Sequence, residues 1–150
     1  MITEQQQGQR VPELYEVLEL IDQATEEEKI VEIVRSFGQK YSWFTDYLRC
    51  VFDEKIQFNL PPGKPPYTPA HEAHHPTSWH RQHMQVGYWV KGLKGDNVNA
   101  IKRESMFIGM LEGIHPEDAV HIVEMTEKKA STSGLTKEVV KQALPDLISK

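Results

Sequence analysis

The chain has 150 residues, of which 39% are hydrophobic and 26% charged, which suits one globular domain able to bury its own core. A single cysteine, Cys50, excludes an internal disulfide, and no apolar run reaches the length of a membrane span. The polar start, Met1-Ile2-Thr3-Glu4, has no cationic or apolar signal region, so an intracellular protein is expected. The net charge of −5 is unevenly placed: residues 1–60 carry six basic against twelve acidic side chains, and residues 84–150 nine against nine. Such a balance lacks the basic footprint of a general nucleic-acid binder.

Residues 1–10 are Gln-rich and read as a flexible terminus, with a single domain over 11–150. Pro12 suits a first helical position, and Val11, Leu14, Leu18 and Ile21 recur at helical spacing up to about Gln23. Thr25-Glu26-Glu27-Glu28 reads as a capping box for a second helix, with Ile30, Ile33, Val34 and Phe37 as its stripe and Gly38 as its stop. A third helix covers Ser42 to Val51, with Phe44, Tyr47, Leu48 and Val51 on one face. Cys50 lies in that helix and reads as a core residue.

Residues 52–76 then hold Pro61, Pro62, Pro65, Pro66, Pro69 and Pro76, which forbid helix and central strand. They predict an extended crossing connector anchored by Phe52, Phe58, Leu60 and Tyr67. A fourth helix is expected from Ser78 to Gly92 through Trp79, Val86, Trp89 and Val90. A fifth runs from Asn97 to Gly113, burying Ile101, Ile108 and Leu111 beside Phe107 and Met110. Pro116 opens a sixth, with Glu117 and Asp118 as helix-start acids and Ala119, Val120, Val123 and Met125 following. His115 stands where its cap belongs, and His121 on its outer side or partly in the core. Thr136 caps a last helix through Ala143. With no alternating run and no repeat, the fold class is all-α, a single domain of about seven helices with a long Pro-rich crossing loop.

Five histidines fall within residues 71–83, and His71, His75, His80 and His83 are candidate ligands for zinc or another divalent metal. The spacing follows no zinc signature, and no nucleotide-binding glycine loop, nucleophile elbow or paired cysteine motif is present. The chain therefore reads as non-enzymatic, with no cofactor beyond that metal option. Ser133-Gly134-Leu135-Thr136-Lys137 combines a helix start with a lysine and could hold a phosphate, with Lys128, Lys129 and Lys141 nearby.

Two groups of segments add a likeness. Phe52 to Pro61 with Gly63-Lys64-Pro65-Pro66-Tyr67 forms the first. Glu104 to Ile108, Leu111 to Ala119, Gly134-Leu135-Thr136 and Ala143-Leu144-Pro145 form the second. In that order they resemble an uncharacterised family of small proteins of T-even-type tailed phages, cyanophages included, over about residues 44–148. That family is in turn similar to the helical N-terminal DNA-binding domain of ATP-dependent DNA ligases, where a helix ends in a segment like Arg49-Cys50-Val51-Phe52-Asp53 before an extended crossing. The chain has no nucleotidyltransferase lysine motif and no room for a catalytic domain, which excludes ligation.

The resemblance implies a phage accessory module, in the host cytoplasm or the virion. It would bind DNA or a DNA-processing complex through Lys128, Lys129, Gly134, Thr136, Lys137 and Lys141. The second reading is a protein–protein module contacting its partner through Tyr67, Trp79 and Tyr88. The third is a metal protein built on the histidines.

Overall fold

The structure, a computed structural model, describes residues 10–148. Among them lie seven α-helices: α1 (Leu14–Gln23), α2 (Glu27–Lys40), α3 (Ser42–Phe52), α4 (Trp79–Gln82), α5 (Ala100–Gly113), α6 (Pro116–Thr126) and α7 (Lys137–Ala143). Two 3-10 segments, His83–Tyr88 and Lys94–Asn97, link α4 to α5. The described residues contain isolated bridges but no strand, so the domain is all-α. None of these helices is long and apolar enough to cross a membrane. The expectation for residues 1–9 lies outside the described residues.

The helices form where apolar residues recur at three and four, and each buries that stripe. Leu14, Val17, Leu18 and Ile21 of α1 are buried, as are Ile30, Val31, Val34 and Phe37 of α2. From α3 come Trp43, Phe44, Tyr47, Leu48, Cys50 and Val51. The broadest helix pairing is α2 on α7, and α6 packs against α1, α3 and α5.

Several boundaries differ from expectation. The α1 cap is Glu13, whose N–H donates to Glu16 Oε1 at 3.0 Å, and Pro12 lies outside the helix. Arg10 fixes Glu16 from below through two 2.8 Å bonds. The cap of α2 is Glu26 rather than Thr25, without a side-chain bond. Gly38 does not stop α2; the helix continues to Lys40, and Gly38 makes room for Leu144. Ile101 and Val120, expected in the core, are 85% and 51% exposed, while Arg103 and Ile122 are buried in their helices.

The largest difference is the fourth helix, which stops at Gln82. Residues beyond it serve as a backbone partner for the connector instead. Asn59 N–H donates to Trp89 O at 2.6 Å and Lys91 N–H to Gln57 O at 2.8 Å. A continuous α-helix would hold those groups internally. Gly95 seals the turn, since a Cβ there would lie 1.7 Å from Tyr88 O. Arg103 then ties turn and connector together, donating from Nε to Asn59 O at 2.8 Å and from one terminal nitrogen to Gly95 O and Val98 O at 2.9 and 2.6 Å. Phe52, Phe58, Leu60 and Tyr67 all pack on the core as anchors of the connector.

Candidate functional site

The lysines read as DNA contacts have different environments. Lys128 follows α6 with φ of 61° and turns its ammonium inward. It donates to the carbonyls of Cys50, Asp53 and Ile56, the last two at 2.8 and 2.9 Å, and so closes the C-terminal end of α3. Burial lowers its pKa, against the opposing pull of nearby acids. The ammonium expected at a phosphate is thus occupied by backbone. Lys137 reaches Glu54 at 3.4 Å, and Lys129 and Lys141 are exposed. Gly134, at φ +83°, makes the turn before α7, and a Cβ there would meet Ile30 Cδ1 at 2.6 Å. Thr136 caps α7 by accepting from Val139 N–H at 3.2 Å, so the helix start read as a phosphate cradle is capped by its own side chain.

The aromatics divide as well. Trp79 was expected on the surface but is fully buried, its Nε1–H donating to Trp43 O at 2.9 Å. Tyr67 and Tyr88 are half-buried and sit under Lys64 and Lys94, whose ammonium groups stand 5.5 and 4.4 Å from the ring centres.

The four candidate metal ligands take separate partners. His71 Nδ1 accepts from Ala73 N–H at 3.0 Å, and His75 Nδ1 donates to Thr77 O at 2.9 Å. His80 Nε2 lies 3.8 Å from Glu13 Oε1, and His83 Nδ1 lies 2.6 Å from Asp46 Oδ2. The quartet therefore does not converge, and no group of three or more His, Cys, Asp or Glu placed to hold a metal ion occurs among the described residues.

What the fold does assemble is an open groove of about 300 Å³ between α1, α6 and the 131–132 turn. Leu18 and Val120 supply its apolar floor, and Glu19, Asp22 and Glu117 its acidic rim. Among the described residues these three carboxylates have no lysine or arginine ion partner; Asp22 accepts only Ser133 N–H at 3.1 Å. Tyr15 and His121 also line the groove. Burial pushes the Tyr15 phenol up to about 12, helped by the surrounding carboxylates. Burial lowers the His121 pKa although Glu124 stands 3.6 Å away, so its imidazole is held toward the neutral form.

At the head of the groove α1 and α6 join. His115 caps α6, its Nδ1 accepting from Glu117 N–H at 3.1 Å, and its ring stacks on Tyr15 at 4.2 Å. Asp118 is wholly buried and accepts Tyr15 N–H at 2.7 Å. Sequence reasoning missed this junction because Asp118 sits where acids normally serve their own helix, and its true partner is 103 residues away. The groove itself had a faint sequence signal in the acidic excess of residues 1–60.

No curated protein and no solved structure matches the chain. The match that does occur is with a family model over residues 17–132, which takes in the groove-forming α6 and the Pro-rich connector and ends before α7. The chain accordingly belongs to DUF6433, a family of unknown function.

Proposed function

We propose that the chain is a non-enzymatic protein-interaction module whose groove between α1 and α6 receives a basic, amphipathic segment of a partner protein. The observation that carries this reading is the pairing of an apolar floor, Leu18 and Val120, with a rim of three carboxylates free of lysine and arginine. Such a surface attracts cations and repels phosphate. It also offers Val120, half exposed on a helix, a place to bury. Of the six residues named for the DNA reading, Lys128 has its ammonium fixed to three carbonyls, which favours the protein reading.

The test maps backbone amide shifts on addition of a synthetic amphipathic Lys/Leu peptide, and separately of short duplex and single-stranded DNA. The peptide should move the Tyr15, Val120 and Thr132 signals, and Glu19→Lys with Glu117→Lys should abolish the effect. Shifts confined to Lys129, Lys137 and Lys141 on adding DNA, fading steeply with salt, would replace this reading with the nucleic-acid one.

A further inference from the structure

The first turn of α1 has backbone N–H groups with no acceptor in its own helix. Asp118, from the first turn of α6, supplies one: its Oδ1 accepts Tyr15 N–H at 2.7 Å. Oδ2 is left without a donor, and so is Oε2 of Glu13, the cap of that same helix start, whose carboxyl acts on the Asp118 carboxyl both as a charge and as a hydrogen-bond partner. Neither Asp118 Oδ2 nor Glu13 Oε2 meets an N–H or O–H donor, and both atoms are closed to water. Two ionised carboxylates in contact at such a place would repel each other with no solvent to screen them. A single proton between these oxygens turns the repulsion into a hydrogen bond and satisfies both at once.

We infer that Asp118 keeps its proton at neutral pH and donates it to the Glu13 carboxyl, and that this hydrogen bond latches the start of α1 to the start of α6. Among the described residues the surrounding charges supply no lysine or arginine to the pair. On the α1 side Glu16 is already held by Arg10, and Tyr15 is a neutral phenol stacked on His115. From α4, His80 Nε2 stands 3.8 Å from the other Glu13 oxygen with Arg81 as its neighbour, and burial disfavours its charged form. From α6, Glu117 adds a further negative charge, and His115 uses Nδ1 as an acceptor. The connector contributes His75, whose ring meets His115 at 5.4 Å. Burial first, then the charge and hydrogen bond of Glu13, hold the Asp118 carboxyl well above the usual carboxylate range, against the lowering effect of the Tyr15 and Leu14 N–H groups.

The folded chain thus binds a proton that the unfolded chain releases near pH 4. The contribution of the latch is present at low pH and falls as pH rises through the raised folded pKa of Asp118. Because α1 and α6 wall the groove, the latch also sets the groove's width at one end.

Infrared spectroscopy of the full chain near pH 7 tests this directly, with no partner present, so the result is separate from that of the groove reading. The wild type should show the C=O band of a protonated carboxylic acid, and Asp118→Asn should lack it. Asn keeps an oxygen for Tyr15 N–H and offers Glu13 an amide donor, so its melting temperature relative to wild type should rise as the pH climbs above the usual carboxylate range. Glu13→Gln makes the same replacement from the other side and should also lose the band. A wild-type spectrum with no protonated carboxyl near pH 7 overturns the inference, whether or not either variant folds. So does a band that survives either substitution, or a melting-temperature difference constant with pH.

Discussion

Replacing Lys128 by Met removes an ammonium and keeps most of the aliphatic stem. Three carbonyls at the end of α3 and in the following turn, those of Cys50, Asp53 and Ile56, lose the ammonium together, Asp53 O keeping Ile56 N–H at 3.1 Å. A hydrogen bond to a charged group contributes about 1.5–3 kcal/mol, so three independent ones would reach roughly 4.5–9 kcal/mol. Lys128 is only half-buried, however, so water replaces part of what is lost, and the cost of desolvating the ammonium is no longer incurred; the net cost should be about 2–4 kcal/mol. The backbone gives an internal control. Residue 128 has φ of 61°, which costs a non-glycine residue about 1 kcal/mol. Lys128→Gly should therefore be less damaging than Lys128→Ala by about that amount, although both lose the ammonium. Urea denaturation of the three variants at one pH gives these differences. A Lys128→Met variant within about 0.5 kcal/mol of wild type would refute the reasoning and return the ammonium to the surface.

Arg103→Leu should cost about 3–5 kcal/mol, because the Asn59, Gly95 and Val98 carbonyls all lose the guanidinium in a largely buried place, Gly95 O keeping Val98 N–H at 3.1 Å; denaturant unfolding would show it. Gly95→Ala cannot fit a Cβ 1.7 Å from Tyr88 O, so the 83–97 segment must rearrange, read as a change in the Trp89 environment by fluorescence. Burial lowers the pKa of His80 and His121, so the folded chain takes up fewer protons than the unfolded chain near pH 6. This stabilising contribution is present above about pH 6.5 and is lost as pH falls below it, and His121→Gln should flatten that part of the melting-temperature profile.

Much of the helix order was legible because apolar spacing alone places α1, α2, α3 and α6, and Pro116, His115 and Thr136 mark helix starts through local chemistry. The fourth helix was not legible. Val86, Trp89 and Val90 satisfy a helical period, yet their backbone is needed by Gln57 and Asn59, thirty residues earlier. Ile101 shares a face with Ile108, which is only half-buried, whereas the buried face of α5 runs through Arg103, Phe107 and Met110, and a buried arginine is not part of an apolar period. The surroundings of Lys128 were hidden for a similar reason. A lysine's sequence neighbours do not show which way four methylenes will turn, and the acceptors of Lys128 lie 72 to 78 residues away. The carboxylates of Glu19, Asp22 and Glu117 look like ordinary solvated charges until two helices bring them to one rim.

The lone thiol has an experimental use. Cys50 is 3% exposed, burial raises its pKa to about 12, and its carbonyl is one of the three that bind Lys128. A thiol held neutral and covered does not react with alkylating reagents. The rate at which such a reagent labels the native protein therefore counts openings of α3 at a single atom, with no introduced probe. Labelling slower than a freely exposed cysteine by the global unfolding constant would mean that this end of α3 opens only with the whole domain. Faster labelling would identify it as a region that opens by itself, beside a lysine that keeps it shut.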